Sequence, residues 1–364
     1  VTYARARLLI GITGVGTWVV IAALFLALDG ASLLPGPDAA FGVQAGALAA
    51  VIGIYVVVSL PFDLLGGLVL PGRHGRPVPS AARWLAGWAR GVVVQAIVMV
   101  AAVGLMIWAG RSAGDGAALG VAALIALAIG LGRLPLARAV AHLGSPVAGP
   151  HGATTMTAGD VGFTGAITGI PGRSRVVVPE AWQRQLGNLV DIEVARRRAM
   201  AGASYALGIA LALAWTVGGV ALALALPGGG ADGVAAIVTA GAWFTLWSFA
   251  GLLILPSVSR PAVMAADAAA ARSFPQADVA TVIRDLDRLQ DDEPERPGSV
   301  EVIFHPIPGA ERRIQRLGAS TPGVRPWHVA RLALPMSWCC LGLMGRAVHC
   351  NAGRPELWVM LPAD

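Results

Sequence analysis

Long apolar runs broken by short polar segments dominate the chain. Runs of about 20 apolar residues, each long enough to cross a bilayer as a helix, fall near 8–28, 44–70, 91–109, 117–134, 203–226 and 234–256. The second run is interrupted by Pro61 and Asp63. The pattern predicts a mainly α integral membrane protein with about six transmembrane helices. Four spans fill 1–134 and two fill 201–256, with less hydrophobic regions at 135–200 and 257–330 and an apolar, cysteine-containing tail at 331–364.

The period changes inside the polar regions. Gly165, Gly169 and Gly172 punctuate residues 154–182, and "RVVVP" (175–179) is a β-branched run, so strands and turns are expected there. From Pro179 a helix is favoured, with Leu186, Leu189, Val190 and Val194 on one stripe. Residues 261–273 read as helix because of their alanines, and so do 278–290. The segment "LALPMSWCCLGLMG" (332–345) has only 14 apolar residues and is too short to span, so an interfacial or buried position is expected.

Composition sharpens the picture. Charged residues make up 13% of the chain and hydrophobic residues 56%; a soluble domain carries about 25% charged residues. The 27 basic residues are all arginine, against 21 acidic ones. The connections at 29–43 and 227–233 hold no arginine and 110–116 holds one, whereas 71–90 holds Arg73, Arg76, Arg83 and Arg90. By the positive-inside rule, the N-terminus and both polar regions lie in the cytoplasm of a multi-pass cell-membrane protein. Arginines beside apolar spans are topology signals, so no nucleic-acid partner is expected and the bilayer itself is the first partner. The first run exceeds a signal-peptide core and reads as an uncleaved anchor.

Four segments in order carry a resemblance. They are "GFTGAITGIPGRSRVVVPEAW" (162–182), "IEVARRR" (192–198), "SRPAVMAAD" (259–267) and "FHPIPGAERRIQRL" (304–317). Together they resemble the HtpX and CAAX-prenyl-protease type of membrane zinc metallopeptidase. The resemblance implies a small α+β, zincin-like cytoplasmic domain split by the last two spans. It places "IEVARRR" where that family has H-E-x-x-H, so the first two zinc ligands fall on Ile192 and Arg196 and the third on Val263. The general-base position falls on Glu193, a supporting position on Asp267, and the closing motif supplies His305 and Arg313. It also implies that the strand Arg175, Val176, Val177, Val178 is an edge that holds an extended peptide by strand addition.

The chemistry does not follow the frame. Ile192 and Val263 carry no donor atom, and the guanidinium of Arg196 repels a dication. No H-E-x-x-H occurs anywhere in the chain. The expected cofactor set is therefore empty, and the expected role is binding of a peptide or membrane-protein partner by a degenerate peptidase. Two other readings stay open. One is an active metallopeptidase holding zinc through His305, His142 or the Cys339, Cys340, His349, Cys350 set. The other is a transporter or channel subunit. The sequence sets no oligomeric state.

Plainer roles stand beside these. Glu193 has the spacing to pair with Arg196 or Arg197, Asp267 reads as a solvated helix carboxylate, and the cysteines read as free thiols in an apolar segment. "GITGVG" (11–16) reads as a helix-packing surface. Asp63 is the one carboxylate at membrane depth, where such groups are usually functional.

Overall fold

The computed structural model describes residues 1–290, 292–319 and 323–361. The chain is a multi-pass membrane protein. Five helices are long and apolar enough to cross a bilayer, and a bent pair makes up to six spans. They are α1 (Tyr3–Ala27), α2 (Phe41–Leu64, continued by Leu65–Val69 and Leu70–Arg73), α3 (Ala81–Ala113), the pair α4 (Asp115–Leu131) and α5 (Arg133–Val140), bent by 80°, then α7 (Ala203–Ala225) and α8 (Val234–Ala271). The shorter helix α6 (Val190–Met200) precedes α7.

Two boundaries differ from the sequence pattern. Helix α3 begins ten residues before its apolar run. Ser80 caps it by accepting from the Arg83 N–H at 3.4 Å, and the indole N–H groups of Trp84 and Trp88 find buried acceptors. Arg83 and Arg90 therefore sit on a helix, not in a loop. Helix α8 runs 38 residues without a break through Pro256 and Pro261, so the alanine-rich stretch 261–273 is mostly the far end of the last span and not a separate helix. Pro61 likewise lies inside a continuous helix, followed by a π-helical turn at Leu65–Val69.

Four short strands, β1 (Val147–Ala148), β2 (Thr154–Met156), β3 (Ala166–Thr168) and β4 (Arg175–Pro179), form one sheet in the order β1-β2-β4-β3. Strand β4 pairs parallel with β2 and antiparallel with β3. Gly165 lets β3 approach, because it sits at φ +72° and a β-carbon there would lie 2.1 Å from the Val177 carbonyl oxygen. Val176 and Val178 share one hydrophobic cluster with Ile192 and Val194 of α6, Ala270 of α8, and Val279, Ile283 and Leu286 of α9 (Gln276–Gln290). Two short helices, α10 (Gly298–Phe304) and α11 (Ala310–Ile314), complete the polar region.

Residues 327–361 run into the bundle and back out. The entering arm is α12 (Val329–Met336) with a 3-10 turn at Ser337–Cys340. Leu341 turns the chain in the left-handed region and packs against Gly241, about 10 Å along α8 from its first residue. The returning arm passes α1, then α2, then α3. Each span offers this hairpin a glycine: Gly11, Gly67, Gly91, Gly130, Gly208 and Gly241. A β-carbon at any of them would come within 3.3 Å of the hairpin, and at Gly208 within 2.1 Å of the Trp327 carbonyl oxygen. The apolar segment at 332–345 is thus buried in protein, where irregular backbone is tolerated at membrane depth.

Candidate functional site

Helix α6 presents Glu193, Arg196 and Arg197 to the interior, and all three side chains are fully buried. Three and four residues apart, they share one helix face. Arg196 pairs with Glu193 through Nη1, and its Nε donates to Asp267 Oδ1 of α8 at 2.7 Å. Arg313 of α11 forks onto the same carboxylate, Nε to Oδ2 at 2.8 Å and Nη2 to Oδ1 at 2.9 Å. Such two-pronged contacts are the strong form of an arginine–carboxylate pair. Arg197 donates to Glu193 Oε1 at 2.6 Å and to the carbonyls of Thr164 and Val177 at 2.6 and 2.8 Å. It ties α6 to the strands.

Of the positions that the resemblance singles out, Glu193, Arg196 and Asp267 are bonded to one another. Ile192 lies in the apolar cluster, Val263 is fully buried, and Arg196 stands between Glu193 and Asp267. Two carboxylates from two helices are bridged by a fixed organic cation. Among the described residues no group of three or more His, Cys, Asp and Glu side chains has the arrangement to hold a metal ion. His305 is buried, its ring 5.2 Å from that of His349, and its carbonyl accepts from Arg260 at 3.1 Å.

Two expectations are corrected here. Asp267 is not a solvated carboxylate. It is 1% exposed, and its partners lie 71 and 46 residues away in sequence. Strand Arg175, Val176, Val177, Val178 is not an open edge. Both of its sides are taken by β2 and β3, so no peptide can add there without displacing a native strand. The edge strands of the sheet are the exposed, two-residue β1 and the buried β3.

A second buried charge group anchors the hairpin. Asp63 of α2 pairs with Arg346 and accepts from Trp88 Nε1 and from the Gly353 N–H, both at 2.8 Å. The Arg346 guanidinium is packed among the rings of Trp358, Tyr55 and Trp88 at 4.6, 5.1 and 5.7 Å. The carboxylate at membrane depth is therefore a fastening point. Sequence reasoning missed it because its partner lies 283 residues away. The one available signal was an arginine inside an otherwise apolar segment.

Where the returning arm leaves the bundle, Arg354 bonds Asp160 through Nε at 2.7 Å. Burial alone would raise the Asp160 carboxyl, but this guanidinium outweighs it and holds the group below its usual range. Glu356 lies beside them in the wall of a cavity of about 520 Å³. Burial, reinforced by the Asp160 charge, pushes its carboxyl up to about 7. Cys339, Cys340 and Cys350 are buried, and none of them is in a disulfide. No protein-family model and no curated protein sequence matches the chain.

Proposed function

We propose that this is a non-catalytic, peptidase-like protein of the cell membrane, with its arginine-rich end in the cytoplasm, that acts by binding a peptide or membrane-protein partner. One observation carries the non-catalytic part of the reading. The guanidinium of Arg196 joins Glu193 to Asp267 at the place where the resembled frame would put its metal. A planar monocation with five donors satisfies both carboxylates permanently, offers no open coordination position and activates no water. Glu193, already bonded to two arginines, is a structural anion in this arrangement and not a general base. The hairpin that fills the bundle interior argues against a transport pathway there.

The test is metal analysis of detergent-purified protein beside a proteolysis assay on casein and on a membrane-protein substrate. The expected result is substoichiometric zinc, no chelator-sensitive cleavage, and an unchanged null result for Glu193→Gln. One zinc per chain, with cleavage abolished in that variant, would establish an active peptidase instead. Crosslinking in native membranes should give a reproducible adduct with a different protein; recovery of uncrosslinked chain alone would remove the partner-binding role.

A further inference from the structure

The cavity beside Glu356, about 520 Å³ in volume, lies where the returning arm leaves the bundle. Small-molecule sites usually measure about 300–1,000 Å³. Its wall is drawn from the first turns of α1 and α3, the end of α2, the connections around Pro77 and Val161, and the hairpin at 353–356. Trp84, Pro77, Val78 and Pro79 supply apolar surface. Gly87 keeps the space open, since a β-carbon there would meet nothing within 4 Å.

Most charges in the wall are already matched. Asp160 and Arg354 are paired. Arg76 donates to the carbonyls of Leu289 and Gln290 at 3.2 and 2.7 Å, and the His142 ring meets Arg90 at 2.9 Å. Two opposite charges remain. Among the described residues no other side chain bonds or ion-pairs with the Glu356 carboxyl, and none does so with the Arg83 guanidinium. A simple amine entering the cavity would face the guanidiniums, and a simple acid would face Glu356 and Asp160. A molecule carrying both charges meets each. The Asp160 charge opposes ionisation of Glu356, so an ammonium beside that carboxyl relieves a repulsion and adds a charge-assisted bond.

We propose that this cavity binds a short zwitterionic peptide of apolar residues, with its terminal ammonium at Glu356, its terminal carboxylate at Arg83, and its side chains against Trp84 and the Pro77–Pro79 segment. Capture of chain termini by fixed groups is a recurrent mode of peptide recognition. The site is separate from the Glu193 cluster, and the assignment does not rest on the peptidase-like reading.

The test uses the full chain in phosphatidylcholine nanodiscs, with leucyl-leucine as the probe, read by titration calorimetry and thermal unfolding. The expected result is one peptide bound per chain at pH 7.5 and a higher unfolding midpoint in its presence. N-acetyl-leucyl-leucine, which lacks the ammonium, and leucyl-leucine amide, which lacks the carboxylate, should each bind about tenfold more weakly. Glu356→Gln and Arg83→Gln should weaken the unmodified dipeptide by a similar factor. Affinity should fall from pH 7.5 to pH 5 as Glu356 takes up a proton, and Glu356→Gln should remove that fall although Asp160, His142 and the arginines are unaltered. Gly87→Leu should abolish binding without lowering the midpoint of the free protein, since leucine favours a helix over glycine. Failure to bind leucyl-leucine, equal binding of the acetylated or amidated forms, or undiminished binding by Gly87→Leu would overturn the assignment. So would phosphatidylethanolamine, whose headgroup carries the same pair of charges, raising the midpoint and excluding the dipeptide, because that would make the cavity a lipid site.

Discussion

Asp267 shows how a single side chain can hold two halves of a structure. It lies on the last span, and it gathers Arg196 from the helix before the preceding span and Arg313 from a helix beyond it. Removing one member of a buried ion network leaves uncompensated charge, which costs about 3–5 kcal/mol. Asp267→Ala should therefore destabilise the chain by about that amount, seen as a lower unfolding midpoint in detergent. Half of this cluster is readable from sequence, because Glu193, Arg196 and Arg197 sit at helical spacing. The other half is not. Nothing local marks Asp267 as buried, and its partners come from other elements. Glu356 is a different case. Its carboxyl is raised from an ordinary value near 4.5 to about 7 by burial and by Asp160, with Arg354, Arg76, Arg83 and His142 also in the cavity wall. Between those two values the folded state holds a proton that the unfolded state has lost. Stability therefore falls as pH rises through that window and levels off above it. Glu356→Gln should flatten this slope between about pH 4.5 and 7, measured as unfolding midpoint against pH.

The spans were legible as elements because a bilayer demands about 20 apolar residues and the chain supplies them in runs. Their ends were less so. Capping by Ser80 and the bonded indoles of Trp84 and Trp88 extend α3 into arginine-bearing sequence. "RVVVP" reads correctly as a strand, but its central place depends on "TTM" and "AIT", segments too short to announce themselves. The hairpin was least legible. Fourteen apolar residues signal burial but not where, and the glycines that receive it are scattered over six helices. Two glycines of α7 separate packing from propensity. Gly208→Leu must push against the Trp327 backbone, whereas a β-carbon at Gly218 meets nothing within 4 Å. The first substitution should lower the yield of monodisperse protein on size exclusion sharply, and Gly218→Leu should leave it near the unaltered level.

In the whole molecule the two buried charge groups divide the work. Glu193, Arg196, Asp267 and Arg313 join the polar regions to the last span, while Asp63 and Arg346 fasten the hairpin into the bundle. The uneven spread of arginine among the connections was readable from the sequence alone, but the filling of the interior was not, since it depends on residues far apart in sequence meeting the same inserted loop. That filling has a consequence for biogenesis. A ribosome delivers every span before it delivers residues 327–361, and domains generally form in the order they are made. The nascent bundle must therefore wait in the membrane with a hollow centre and a naked carboxylate at Asp63, and only the late-arriving segment closes it. Any stall before that point leaves the bundle without the segment that fills it.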